Sequence, residues 1–563
     1  MDTKIPKKHG NSWYKDLVFY QIWPRSFKDG NGDGIGDLTG IIDKLEYIRS
    51  LGCNAIWFSP LYPSPQNDYG YDVADYCDIA PEYGTLEQFK EMLDKAHALG
   101  MKVIVDLVLN HTSDQHKWFL ESMDANSPKR DWYIWREGKR GNKKPPNNWT
   151  ATFPGPGWEY VDKAKAWYLH LFCVEQPDLN HDNPQLREEL KKVQRFWLDM
   201  GVDGFREDVI TYISKRQGLP NGFPLMPVGR GMEHFSQGPN LMKYLREYRE
   251  VLEEYDAVTV GEAPGMTPET ALKFIGENPV LDMMFHFQHM AADCIVIAWV
   301  KTKFSLRKLK KVFGTWQKKL RGRAWNTLYL ENHDQPRVIS RFGCEDSEEL
   351  RVASGKALAA AYLFQQGTPF VYQGQEIGMT NIRLPELEQY PDIATQNTYR
   401  LFRKLGFSHK STMERAKYAA RDNARTPVQW DASPNAGFTT GDEPWFTINP
   451  NYTAVNVAAQ ENDPDSLLNF YRSAITLRQS LPVFRDGDYV DLCPRSKTIY
   501  AYTRNLGEKS ALVLISFSKE PQNYKIPGGY GEVLLNSEKN LEREGDTVVL
   551  RGYQAVIFGR FGR

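Results

Sequence analysis

Residues 183–209, NPQLREELKKVQRFWLDMGVDGFREDV, contain one full unit of the pattern that governs this chain. Leu190, Val193 and Trp197 recur at helical spacing behind Asn183, whose side chain can cap the first turn, so a helix is predicted from Pro184 to Met200. A strand-like run follows, Val202–Val209, and its carboxyl end carries Arg206, Glu207 and Asp208. The same unit recurs in both directions. Strand-like runs stand at Val18–Trp23, Ala55–Pro60, Lys102–Leu109, Val258–Glu262, Leu281–Phe285, Thr327–Glu331 and Pro369–Gln373. Helical stretches separate many of them, such as Leu86–Leu99, where Phe89, Leu93 and Ala96 share a face. Eight strands interleaved with helices fit an α/β fold closed into a parallel (β/α)8 TIM barrel better than an open sheet.

Two intervals break the rhythm. Residues 110–180 follow the third strand and are rich in Trp, Pro, Asn and Lys, with no clear βα unit. An insertion of that length at the carboxyl end of a barrel strand predicts a lid-like subdomain over the active face. From residue 485 onward, alternating runs such as Thr498–Thr503, Ala511–Ser516 and Ala555–Phe558 are divided by Gly, Pro and Asn. That pattern predicts a C-terminal antiparallel β-sandwich domain over 485–563. The barrel itself is assigned to 1–109 and 181–484.

The 70 basic and 71 acidic residues nearly cancel, leaving no electrostatic handle for a polyanion, so nucleic acid is not expected as a partner. Aromatic residues make up 13% of the chain, which suits either sugar stacking or a large aromatic core. Six cysteines without a CxxC pair point to reduced thiols rather than a disulfide framework or zinc cluster. No apolar leader or membrane span is apparent, and a cytoplasmic monomer is expected.

Ionisable residues gather at four predicted strand ends: Asp106 to His111, Arg206 to Asp208, Glu262, and Glu331 to Asp334. This is the face where such a barrel places its chemistry. Retaining glycoside hydrolysis needs one ionised carboxylate to attack the anomeric carbon and one protonated carboxyl to donate to the leaving oxygen, about 5–5.5 Å apart. Asp208 and Glu262 sit on neighbouring strands and meet that requirement. Arg206 shares a strand face with Asp208 and is expected to hold its pKa low, while the charge of Asp334 should raise that of Glu262. Asp106 reads as an anchor for Arg206 rather than as a catalytic group.

These residues resemble a known family. DLVLNH (106–111), GFREDV (204–209), GEAPG (261–265) and ENHDQPR (331–337) are similar to the four signature regions of glycoside hydrolase family 13. QPDLN (176–180) resembles the fifth, as found in the oligo-1,6-glucosidase branch. The likeness runs from YQIWPRSF (20–27) through RDNARTPVQW (421–430) to the C-terminal domain. It implies that Asp208 is the nucleophile, Glu262 the general acid/base and Asp334 the transition-state stabiliser. It also implies that Arg206, His111, His333, Gln176 and Phe153 contact substrate. Asp72, in YGYD, and Arg425, in RDNART, would grip the non-reducing end and make the enzyme exo-acting. Two residues depart from the branch. Glu207 stands where an apolar residue such as Met is usual, and alternation points it into the wall behind the barrel, where it needs a partner. His181 follows QPDLN where Trp is common.

DGNGDGIGD (29–37) sets Asp29, Asn31, Asp33 and Asp37 at calcium-loop positions, with the Ile35 carbonyl between them. The twelfth position is Gly40 rather than Glu and a strand precedes the loop, so it is not an EF-hand. A structural Ca2+ is expected there, with Mg2+ as the alternative.

Within the resemblance, the residue after the nucleophile tracks linkage: Val in α-1,6-specific members, Ala in α-1,4-specific maltases. Val209 therefore implies hydrolysis of isomaltose and short isomalto-oligosaccharides, with a maltase as alternative. A sucrose isomerase or transglucosylase is disfavoured, because FSLRKLKKVF (304–313) stands where the isomerases carry Arg-Leu-Asp-Arg-Asp. A trehalose-6-phosphate hydrolase is a further relative. A non-catalytic transporter heavy chain or carbohydrate-binding module would not retain Asp208, Glu262 and Asp334 together.

Overall fold

A computed structural model describes residues 12–226 and 228–561; the first eleven residues of the expected barrel span lie outside the described residues. Eight short strands form the barrel: β1 (Phe19–Ile22), β2 (Ala55–Phe58), β3 (Lys102–Leu107), β4 (Gly204–Glu207), β5 (Val258–Glu262), β6 (Met283–Phe285), β7 (Thr327–Leu328) and β8 (Thr368–Tyr372). Each lies inside a run predicted from periodicity or one residue out of it, though β7 stops three residues short of its predicted end. All ladders are parallel and run in the order β7-β8-β1-β2-β3-β4-β5-β6. The seam between β6 and β7 has no ladder. It is held by side chains: the Thr327 hydroxyl donates to the Met284 carbonyl at 2.9 Å, and the Tyr329 hydroxyl to that of His286 at 2.8 Å.

Local chemistry explains the helices. Asn183 Oδ1 accepts from the backbone N–H groups of Gln185 and Leu186, satisfying two of the donors that a helix start leaves open. The helix Pro184–Met200 then buries Leu186, Leu190, Val193 and Trp197 against the barrel. Gly201 takes a left-handed φ of 111° and turns the chain back into β4.

Three antiparallel strands, Trp135–Arg136, Trp158–Val161 and Ala166–Leu169, build a small sheet within the insertion after β3. A bridge between His111 and Asp178 ties that insertion to the end of β3. Between β8 and the helix Leu467–Ser480 the chain makes a second excursion, with helices Ile393–Lys404 and His409–Ala419 and the turn Arg421–Ala424. Beyond it, a five-stranded and a three-stranded antiparallel sheet enclose a separate core of Leu512, Leu514, Val548 and Phe558. All six cysteines are unpaired, and four are buried.

The two residues that depart from the family pattern have different environments. His181 is fully satisfied: Nε2 donates to the Leu109 carbonyl at 2.7 Å, and Nδ1 accepts from the Tyr248 hydroxyl at 2.9 Å. Burial drives its pKa down to about 3, so the ring is neutral. Glu207 projects from β4 into the layer behind the barrel, and its Oε2 has no hydrogen-bond partner among the described residues. The nearby Arg249 is already engaged by Asp282 at 2.7 Å. Burial therefore prevails and lifts the Glu207 carboxyl to about 7 from its ordinary 4.5, with Thr259 and Arg249 opposing the rise. Between those two values the folded chain holds a proton that the unfolded chain has released, so stability falls as pH rises through this window. Replacing Glu207 by Met removes that dependence. In thermal denaturation E207M should exceed the parent by roughly 3 kcal/mol at pH 8. The gap should narrow toward pH 4.5, and a gap independent of pH would contradict the assignment.

Candidate functional site

Strand register brings the first charges together. Asp106 on β3 pairs directly with Arg206 on β4. Arg206 is 1% exposed, and its Nη1 contacts Asp106 Oδ1 at 2.8 Å and Asp208 Oδ1 at 2.8 Å. Its Nη2 is hydrogen-bonded to Glu262 Oε2. Burial works against the guanidinium charge, but Asp106 and Glu262 more than offset it. Asp106 also accepts from Trp57 Nε1 at 3.2 Å and the Tyr71 hydroxyl at 3.0 Å, which leaves it anchoring Arg206.

The electrostatics of the carboxyl pair differ in one respect from the sequence expectation. Glu262 is raised as expected: burial leads, Arg206 opposes, and the Asp334 charge adds to the rise. Asp208, expected to be low, is instead lifted well above the carboxylate range, because burial with the charges of Glu262 and Asp106 outweighs Arg206. One guanidinium is shared among three acids and cannot hold all of them ionised. Asp208 and Glu262 thus titrate as a pair sharing a proton.

Asp334, beyond β7, behaves oppositely. Burial would raise it, but His333 together with Arg421 at 2.9 Å and Arg425 at 3.1 Å holds it well below the usual range. His333 is neutral, pushed down to about 4 by burial; it meets Gln21 Nε2 at 2.8 Å and the Tyr71 hydroxyl at 2.8 Å. His111 is likewise neutral, lowered to about 3 by burial, with Gln176 Nε2 3.1 Å from its own Nε2.

Two residues chosen from sequence lie behind the site rather than in it. Asp72 is fully buried and accepts from Ser64 Oγ at 2.8 Å, Asn67 N at 2.9 Å and Asp68 N at 3.1 Å, so its carboxylate folds the loop. What that loop presents to the site is Asp68, which meets Arg421 Nη2 at 3.0 Å and Gln176 Nε2 at 3.1 Å. Arg425 packs under Trp23 with its Nε donating to the His333 carbonyl at 3.1 Å. Arg421 is the arginine facing the cavity, linking Asp68, Asp334 and Asp392. Phe153 lies beneath its guanidinium at 4.7 Å and against Phe172, whose ring lies 5.1 Å from that of His111. Asp68, Tyr71, Phe172, Asp392 and Arg421 were therefore missed. NDYGYD and RDNART each offer two like-charged residues four apart, and only loop geometry decides which one faces inward.

Val209 adopts φ 34° and ψ 40°, a left-handed conformation unusual for a β-branched residue. It ends β4 abruptly, and its N–H reaches Glu262 Oε2 at 3.4 Å.

The loop 29–37 is organised by its own side chains. Asp29 accepts from the N–H groups of Asn31, Gly32 and Gly34 and from the Thr439 hydroxyl at 2.5 Å. Asp33 accepts from Ile35 N at 2.8 Å, and Asp37 from Gly30 N, Asn31 N and Gly40 N. Among the described residues no group of three His, Cys, Asp or Glu side chains is disposed to hold a metal.

Residues 21–487 match the model of the alpha amylase catalytic domain, and 499–557 that of the alpha-amylase SusG C-terminal domain. The chain belongs to the α-amylase family. An oligo-1,6-glucosidase of Parageobacillus thermoglucosidasius is 47% identical over 522 residues, covering 92% of each chain. That of Bacillus cereus is 45% identical over 97% of this chain and 99% of its own. The crystal structure of isomaltulose synthase from Klebsiella sp. LX3 superposes with a TM-score of 0.93 at 40% identity, over 98% of this chain and 99% of its own.

The corrected pocket has a direct test in this α-amylase-family site. Asp68→Asn weakens the partner of Arg421 and should raise KM for a small α-glucoside by about tenfold or more. Asp72→Asn disturbs only the loop, and should lower Tm with a smaller change in KM. The reverse ranking would restore Asp72 as the contacting residue.

Proposed function

We propose that the protein is an exo-acting, retaining α-glucosidase that hydrolyses α-1,6 bonds at the non-reducing end of isomaltose and short isomalto-oligosaccharides. The observation that carries this reading is the single guanidinium of Arg206 touching both Asp208 and Glu262. Carboxyls bridged in this way fit the close spacing of a retaining pair better than the roughly 6.5–9.5 Å of an inverting one. Of the shared proton's two hosts, Glu262 faces the additional negative charge of Asp334. With the proton on Glu262, Asp208 is free to attack the anomeric carbon as Glu262 protonates the departing oxygen. Glu262, now ionised, then takes a proton from water as that water's oxygen displaces Asp208. Asp334, held ionised by two arginines, suits stabilisation of the positive charge that develops on the sugar.

The Asp68–Arg421 pair closes the far end of the site, which supports attack at chain ends, and the neutral imidazoles of His111 and His333 suit sugar hydroxyls. Val209 and the oligo-1,6-glucosidase relatives support the linkage. No described helix is long and apolar enough to cross a membrane. The unpaired thiols suit a reducing compartment, which supports a cytoplasmic location. Nucleic acid is excluded from this reading by the balanced charge.

NMR analysis of products from isomaltose, maltose and sucrose tests the whole assignment. The expected result is α-glucose released with retention, isomaltose turned over faster than maltose, and no sucrose isomers. Isomaltulose or trehalulose from sucrose would replace hydrolysis by isomerisation. Asp208→Ala should lose at least about 10³-fold in kcat with unchanged folding.

We further propose that Asp29, Asn31, Asp33, the Ile35 carbonyl and Asp37 hold a structural Ca2+. The alternate spacing of oxygen donors supports this. The oxygens of Asp29, Asn31, Asp33 and Asp37 all accept hydrogen bonds within the loop, so such an ion would have to share them with those donors. Chelation by EDTA should lower Tm by several degrees, with Ca2+ restoring it better than Mg2+; an unchanged Tm overturns the site.

A further inference from the structure

The near-balance of charge over the whole chain hides a local excess. FSLRKLKKVF (304–313) packs four cations into one short stretch, and none of them belongs to the catalytic face. The helix Leu306–Leu320 continues it with Lys318 and Lys319 and contains no acid. Arg307 and Lys308 lie in its first turn, where the positive end of a helix disfavours cations, and no acidic residue there offsets them. Lys319 pairs with Glu269 at 3.2 Å. Arg307, Lys308, Lys311 and Lys318 have no ion pair among the described residues.

A groove of about 660 Å³ runs along this helix. Its opposite wall is the turn after the strand Asp488–Asp491 of the C-terminal domain, with Pro494 and Arg495. The two walls are fixed to each other. Lys310, 1% exposed, crosses between them and donates to the carbonyls of Cys493 at 2.5 Å and Ile499 at 3.0 Å. Gly314 lets Tyr489 pack against the helix, where a Cβ would stand 3.2 Å from its ring. Arg321, just past the helix, pairs with Asp488. Asp491 is the sole acid lining the groove, and one of its oxygens folds its own turn by accepting from Cys493 N at 2.9 Å. Against it stand Arg307, Lys308, Lys310, Lys311, Lys318 and Arg495.

Lys308, Lys311, Thr315 and Lys318 follow one another at three- and four-residue steps, so they share a helix face over roughly 15 Å. A single small anion meets only one or two of them. Linked phosphates bring up to about two charges and three acceptor oxygens each, and so neutralise much charge in little volume. Pro494 is the one sizeable apolar side chain of the lining, which gives a lipid surface almost nothing to bury.

We propose that this groove between the barrel and the C-terminal domain binds a small soluble polyphosphate, an anion with two or more linked phosphate groups. The bound anion bridges the two domains, with the helix lysines on one side and Arg495 on the other.

The test is isothermal titration calorimetry of the full chain at about 50 mM salt, where screening is weak, with tripolyphosphate, orthophosphate and citrate. Tripolyphosphate should bind in the submillimolar range and about tenfold or more tighter than orthophosphate. Lys308→Gln combined with Lys311→Gln, both at exposed positions, should weaken it by about tenfold or more, and Arg495→Gln on the other wall by about threefold or more. Lys303→Gln combined with Lys319→Gln removes the same charge from outside the groove and should leave the affinity within about twofold. Equal losses in the two double variants would reduce the effect to overall charge and overturn the site. An unchanged affinity in R495Q would overturn the bridged arrangement. Citrate binding as tightly as tripolyphosphate, or no binding at millimolar tripolyphosphate, would overturn the proposal as well. So would co-sedimentation with phosphatidylglycerol vesicles that K308Q/K311Q abolishes, without tripolyphosphate binding; the groove would then be a membrane contact. The titration needs no substrate, so its outcome is independent of the glucosidase reading.

Discussion

Everything at the active face depends on one buried guanidinium. Arg206 cannot shed its proton, and at 1% exposure it cannot use water, so the fold must supply its counter-charges. They come from three adjacent strands: Asp106, Asp208 and Glu262. Parallel register puts Asp106 directly opposite Arg206, and the alternation of β4 places Asp208 on the same side. The arrangement pre-positions two carboxyls around the space where a glycosidic bond would sit. Because a single positive charge serves three acids, it also keeps a proton within the group.

A second arginine repeats the device over longer distances in the chain. Arg421, from the excursion after β8, joins Asp68 from the loop after β2, Asp334 from the end of β7, and Asp392. Where Arg206 shares its charge too thinly to ionise every partner, Asp334 receives two arginines and stays ionised. Asp334 thus differs in protonation from Asp208 and Glu262 because two guanidinium groups reach it, whereas those two share one. Strain adds to charge at one point: Val209, in a left-handed turn, stops β4 immediately after Asp208 and directs an N–H toward Glu262.

The barrel was legible because its information is local. Period-two apolar runs and helical stripes such as Leu190, Val193 and Trp197 specify elements within a few residues, and the eight strands fell where periodicity placed them. Asp208 and Glu262 were legible for the same reason, since Glu262 ends β5 and Asp208 directly follows β4, so strand alternation fixes which way each side chain faces. The loops follow no such rule. Asp72 and Asp68 are both acidic and four residues apart, yet one caps its own loop and the other reaches Arg421. Arg425 and Arg421 divide in the same way.

By itself, then, the sequence determined the alternating elements, the barrel they close into and the strand-borne acids at its active face, because backbone periodicity is a short-range property. Tertiary structure decided which of two similar loop residues enters the pocket. It also decided that Asp208 is pushed up rather than held down. Those outcomes depend on distances and burial summed over segments hundreds of residues apart, which no local pattern encodes.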